Sequence, residues 1–129
     1  MAYLHDRVYD NGLGILQGEV NRLDICTELP ATYAEATSTY SCGNATGDAL
    51  PTVSAPGARS GGGREVTVGA VDHADATVTS TTTATHVALV DTGNSRLLAA
   101  RALAEGQSVT QDNPFTLTSF TVGIPGVAT

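Results

Sequence analysis

The chain is 129 residues long, enough for one domain with a modest hydrophobic core. Its net charge is -7, it has no lysine, and all of its strong positive charge comes from six arginines. That balance argues against nucleic acid or an anionic membrane surface as partner, since phosphate binding needs clustered positive charge. No apolar run nears the roughly 20 residues of a membrane-spanning helix.

Residues 1–18 mix Leu4, Val8, Leu13, Ile15 and Leu16 with polar residues. Leu4 and Val8 are spaced for one helical face, but Asn11, Gly12 and Gly14 interrupt any long helix, so a short helical or irregular arm is expected. The arm carries charges where a secretion signal needs an apolar centre. Residues 22–27, RLDICT, alternate cleanly. Leu23 and Ile25 face one way and Arg22, Asp24 and Cys26 the other, as in a half-buried strand. Thr32 and Glu35 have capping-box spacing, which predicts one or two helical turns over residues 33–37. Residues 39–42 follow as another short strand.

Residues 43–63 hold Gly47, Pro51, Pro56, Gly57 and a triple glycine at 61–63, the pattern of a long loop or of an arm that orders against a partner. The triple glycine lacks the Lys and Ser/Thr of a phosphate loop. Residues 65–71 alternate, with Val66, Val68 and Ala70 on one face, and 72–75 read as a turn. Residues 76–83 form a threonine-rich strand expected to pair back on 65–71.

Residues 84–104 read as the centre of the fold. A short apolar run from His86 to Val90, a turn cluster at 91–95 and a second apolar run at 96–103 suggest two buried strands in a hairpin. Helix is the rival reading for the second run, which is rich in Leu and Ala. Gly93 and Asn94 supply tolerance for positive φ in the turn. Residues 105–113 look polar and turn-like, with Val109 as a possible strand residue. The last strand spans 115–124. Phe115 and Leu117 share one face, Phe120, Val122 and Ile124 the other, and the change of phase near Ser119 suggests a bulge or a passage between two sheets.

Together these elements predict an all-β domain, an antiparallel sandwich or barrel of six to eight short strands with a short N-terminal helical arm and one long Gly/Pro-rich loop. Aromatic residues are 5% of the chain and tryptophan is absent, so Val, Leu, Ile and Ala must build the core. Small side chains bury little area each, and assembly with other molecules would offset a thin core. Two free, half-buried thiols are expected at Cys26 and Cys42, although a disulfide between them is possible.

Residues with catalytic potential have plainer readings. His86, Asp91 and Ser95 have the residue types of a hydrolytic triad, but strand alternation puts His86 and Asp91 on opposite faces and Ser95 lacks a nucleophile-elbow setting. Asp72, His73 and Asp75 read as solvated turn polarity rather than a cation site. No cofactor or metal is expected. Arg59 and Arg64 flank the glycine run, where their guanidinium groups could reach acidic or carbonyl groups of a partner protein.

Five segments carry a family resemblance: DNGLGIL, RLDICTELPATYAEATSTYSCGN, GGREVTVGAV, ATHVALVDTGNSRLLAARAL and NPFTLTSFTVGIP. Together they resemble small structural proteins from the virions of tailed bacteriophages, above all capsid cement or decoration proteins. The resemblance implies a non-enzymatic protein, often a homotrimer, that is assembled in the host cytoplasm. It would bind the major capsid protein at subunit junctions on the outer shell and reinforce the head. In this reading Tyr3, Leu4 and Arg7 of the arm, with Arg59 and Arg64 of the loop, make the partner contacts. The Thr-His-apolar strand with its turn and Leu-Leu-Ala also resembles segments of tail-fibre proteins, so a tail-associated or host-receptor-binding module is the alternative.

Overall fold

The computed structural model describes residues 3–4, 11–60 and 63–125; the side chains of Tyr3, Leu4 and Pro125 are not part of that description. In chain order the described elements are β1 (Tyr3–Leu4), helix α1 (Gly14–Glu19), β2 (Arg22–Cys26), a π-helical turn (Glu35–Thr39), β3 (Ser41–Thr46) and a 3₁₀ turn (Gly47–Ala49). Then come β4 (Gly57–Ala58), β5 (Gly63–Val68), β6 (Val71–Val78), β7 (Thr82–Asp91), β8 (Arg96–Val109), β9 (Pro114–Leu117) and β10 (Phe120–Pro125). Eight of the ten strands are four residues or longer, and all pairings are antiparallel. The all-β class expected from the sequence is the observed one. A seven-stranded sheet has the order β1-β8-β7-β2-β3-β6-β9, and a three-stranded sheet the order β10-β5-β4.

The two sheets are joined by a bent ribbon. β6 pairs with β9 in the large sheet, Val71 opposite Leu117 and Asp72 opposite Thr116. β5 pairs with β10 in the small sheet, Val68 opposite Phe120. The register is continuous through the corner, so Gly69 and Ala70 on one chain face Thr118 and Ser119 on the other. Both chains therefore leave one sheet and enter the next at the same level. The phase change near Ser119 is this passage. A Cβ on Gly69 would lie 3.3 Å from the Thr52 carbonyl oxygen, which Gly69 N–H bonds at 2.9 Å, so the corner has little room for a side chain.

The central hairpin is β7 and β8, paired from Thr82–Val109 at one end to Asp91–Arg96 at the other. Its residues 87–91 and 97–100 are buried on both faces. The positive φ falls on Ser95 (53°), not on Gly93 or Asn94. The Asp91 carboxylate accepts from Gly93 N–H (3.1 Å) and from Asn94 Nδ2 (2.8 Å). It holds the first part of the turn, and the left-handed residue comes last, where the chain re-enters the ladder.

The inner core contains Leu23, Ile25, Val87, Leu89 and Leu98 of the large sheet, Val66 and Val68 of β5, Leu13 and Leu16 of the α1 region, and Phe115. Each fully buried Val, Leu or Phe contributes roughly 1.5–3 kcal/mol relative to exposure. A second cluster lies on the outer face, where Cys26, Ala88, Val90, Leu97 and Ala100 meet Ala36, with Leu29, Tyr33 and Tyr40 at its margin. The segment between β2 and β3 thus roofs the outer face. The predicted capping interaction anchors it: Glu35 N–H donates to Thr32 Oγ1 (3.1 Å), and Ala31 N–H donates to Glu35 Oε1 (2.8 Å). β2 is consequently buried on both faces rather than half-buried, and both cysteines are fully buried free thiols.

Several boundaries move. Among the described residues the arm holds a two-residue strand and a six-residue helix; residues 1–2 and 5–10 lie outside them. The Gly/Pro-rich stretch is largely irregular, but residues 43–46 belong to β3, a central strand. The stretch is also tied along β5, since Ser54 N–H donates to Thr67 O (2.8 Å) and Val53 bridges Val68. Residues 72–75 continue β6 as an exposed bulge instead of a turn. Five residues advance on β6, from Asp72 to Thr77, while β9 moves back only two, from Thr116 to Pro114. The polar run 76–83 splits between β6, a turn at 79–81 and β7, and it does not pair with β5. Residues 105–109 extend β8, because cross-strand pairing with β7 outweighs their turn-like composition.

Gly43 marks the tightest internal approach. A Cβ there would lie 2.9 Å from the Thr77 carbonyl oxygen and 3.1 Å from Ile25 Cδ1. Gly43→Ala is expected to destabilise the domain by about 1–3 kcal/mol in urea denaturation. Gly18→Ala, in α1 with nothing within 4 Å of the new Cβ, should stabilise it by about 0.5–1 kcal/mol. Equal effects of the two substitutions would contradict the packing described here.

Candidate functional site

The buried polar groups are consumed by structure. Asp24 is fully buried on β2. Arg22 grips it with two bonds of 2.8 Å, Ser41 Oγ donates to it at 2.7 Å, and Arg22 also reaches the Thr37 carbonyl at 3.4 Å. Burial pushes the Asp24 carboxyl up, while the bonds from Arg22 and Ser41 pull it down. The cluster ties β2, β3 and the roof segment together. The sequence placed Arg22 and Asp24 on an outer, polar face; the roof that buries Asp24 gave no signal beyond the capping motif.

His86 is half-buried beside Thr85, whose hydroxyl lies 2.8 Å from Nδ1 and donates to the Thr27 carbonyl at 2.9 Å. The hydroxyl has one proton, so this network assigns the ring proton to Nδ1. Burial lowers the imidazole pKa. Asp91 is engaged in its own turn, so His86, Asp91 and Ser95 form no relay. His73 Nδ1 and Asp75 lie 3.7 Å apart on the exposed β6 bulge. Among the described residues no three His, Cys, Asp or Glu side chains gather as a metal set.

An open groove of about 950 Å³ lies at the bend of the ribbon. Its walls are the outer half of β8 on one side and the β9–β10 corner on the other; the β5–β6 corner and Val87 of β7 complete the lining. β8 is 14 residues long, and among the described residues β1 covers its free edge at Ala99 and Ala100. Beyond them, among the described residues, β8 pairs with β7 alone. β9 and β10 are likewise the last strands of their sheets. Two strand edges that have no partner strand among the described residues therefore face one another across the groove. A bulge shapes the β8 side, where β8 advances five positions from Ala102 to Gln107 while β7 moves back only two, from His86 to Ala84.

Arg101 bridges the two walls. Its Nη1 donates to the Thr121 carbonyl at 2.7 Å, and its guanidinium carbon lies 5.7 Å from the centre of the Phe120 ring. The side chain thereby satisfies an edge carbonyl that no strand pairs, and adds a cation–π contact worth about 0.5–1 kcal/mol at such an exposed site.

The residues expected to contact a partner are distributed unevenly around this feature. The backbone of Tyr3 and Leu4 pairs with Ala100 and Ala99, next to Arg101 where the groove begins. Arg7 lies outside the described residues. Arg59 and Arg64 sit on the small sheet, away from the groove lining. Arg59 packs where a Cβ on Gly123 would stand, and Arg64 donates to the Pro56 carbonyl at 3.3 Å. Sequence reasoning missed the groove because its walls lie far apart along the chain. The available signal was the polar stretch from Glu105 onward, which reads as a turn in the sequence.

No family model matches the chain, and neither the curated proteins nor the solved structures include a significant match.

Two outcomes follow from the buried polar groups. Asp24→Ala leaves Arg22 and Ser41 without their acceptor and should cost about 3–5 kcal/mol in chemical denaturation; a loss below about 1 kcal/mol would contradict the tie described. Burial pushes the Cys26 thiol up to about 12. Near pH 8 it is ionised on the order of a thousandfold less than an ordinary thiol. Cys26 should therefore resist alkylation in the folded protein and react at a normal rate in denaturant.

Proposed function

We propose that this domain is a non-enzymatic assembly module of a virion shell, a capsid cement or decoration protein of the kind its sequence resembles. The observation that supports the reading best is the open groove between unpaired strand edges. The other edge strands are short: among the described residues β1 and β4 span two residues each. A long edge left open on such a fold suits a binding surface. The engaged states of His86, Asp91 and Asp24 also fit a structural rather than a catalytic role.

In this reading the major capsid protein is the partner, and copies of the domain, as homotrimers, sit at subunit junctions on the outside of the head. Each contact is modest, and stabilisation of the shell comes from their number. The N-terminal strand, beside the groove, contributes to the contact with Tyr3 and Leu4, while Arg59 and Arg64 offer a second contact from the small sheet.

Mixing the purified protein with isolated phage capsids and counting bound copies tests the proposal. Copies should scale with the number of capsid subunits, and the decorated heads should withstand heating better than bare ones. A few copies at one vertex would instead assign the protein to the tail or portal, and no binding would remove the shell from the account.

A further inference from the structure

We infer that the groove between β8 and the β9–β10 corner receives an extended segment of a partner protein, one whose residues alternate between small apolar and basic, as an added β-strand. The inference deepens the reading of the domain as an assembly module and names the part of its surface that does the work.

Three features of the groove specify this occupant. The first is the pair of unpaired edges. β8 beyond Ala100 and the strands β9 and β10 present backbone groups that, among the described residues, no neighbouring strand pairs. A peptide strand can satisfy such groups on both sides at once. Among the described residues no ladder joins β8 to β10, and the Arg101 side chain reaches the Thr121 carbonyl across the gap between them. An incoming strand antiparallel to β8 would also continue the line already begun by β1, which pairs with β8 in that sense.

The second feature is the floor. Val71, Val87 and Leu117 are buried at its base, and Leu103 and Phe120 pack partly against the same core. Alternate residues of an inserted strand point inward. Those residues meet an apolar surface and must be apolar, and small ones fit beside the Phe120 ring.

The third feature is charge. The outward residues of the strand meet the exposed carboxylates of Asp72 and Glu105. Arg101, the one cation in the lining among the described residues, is already engaged with Thr121 and Phe120. The whole chain carries -7, so a second copy of it approaches against repulsion, whereas a basic strand is drawn in. Insertion also offers the Thr121 carbonyl a backbone N–H in place of Arg101, which makes Arg101 a latch that the partner displaces.

The test uses the purified protein and two labelled probe peptides of about seven residues, one alternating valine with lysine and one alternating valine with glutamate. Binding is read by fluorescence anisotropy and located by amide chemical-shift changes. The valine–lysine peptide should bind at least about tenfold more tightly than the valine–glutamate peptide, with shifts concentrated at residues 101–107 and 116–121. Ala104→Trp, at an exposed lining position, should block the groove and weaken binding by about tenfold or more. Glu105→Lys should narrow the difference between the two peptides. Equal binding of both peptides, shifts on another face, or undiminished binding by a folded Ala104→Trp variant would overturn the inference. No capsid enters this experiment. Loss of shell binding with retained peptide insertion would therefore count against the virion reading alone, and the reverse result against the groove alone.

Discussion

The structure depends on one continuous ladder that bends. Val71 opposite Leu117 and Val68 opposite Phe120 belong to a single register, interrupted only by the corner at Gly69, Ala70, Thr118 and Ser119. Because both chains turn at the same level, no ladder bonds are lost to a slipped register, and a one-residue slip would turn every side chain to the wrong face. The bend lays the small sheet over the concave face of the large one. It brings Val66 and Val68 into the same core as Leu23, Ile25 and Leu89. The same bend opens the groove, since β9 gives way to β10 and the small sheet while β8 continues past Ala100 in the large sheet. Closure of the core and exposure of two strand edges are consequences of one geometric event.

Rigidity around the groove comes from the opposite side of the large sheet. The segment between β2 and β3 covers Cys26, Ala88, Val90, Leu97 and Ala100, so the hairpin that carries one wall of the groove is packed on both faces up to Ala100. Arg22, Asp24 and Ser41 fix that roof with charge-assisted hydrogen bonds in a dry setting, where such bonds are strong and their loss is costly. Beyond Ala100 the two-sided packing ends, β8 bulges, and the strand becomes the exposed lip of the groove. A stiff base with an open lip is preorganised for strand addition, because little order has to be gained on binding.

Much of this was legible in the residues, for local reasons. The β7–β8 hairpin follows from two short apolar runs around a turn cluster. The helical turn at 33–37 follows from Thr32 and Glu35, and the passage between sheets from the change of phase at Ser119. What was not legible depends on contacts distant in the chain. Asp24 reads as a surface residue until the roof is placed over it. Gly43 reads as the start of a loop, yet it lies in a central strand because Thr77 and Ile25 leave no room for a side chain. Asp72, His73 and Asp75 read as a turn because an exposed bulge and a turn favour the same polar residues. The groove itself joins residues about 15 to 50 positions apart, and no local pattern announces two edges that meet only through the fold.

The central claim is that the open edges at the ribbon bend are where this protein meets its partner. Hydrogen–deuterium exchange of the domain, alone and bound to isolated phage capsids, tests it most directly. The account predicts slowed exchange at residues 101–107 and 116–121 on binding, because edge amides without a strand partner among the described residues gain one. Protection confined to residues 57–64, with the groove amides exchanging as freely as before, would contradict it.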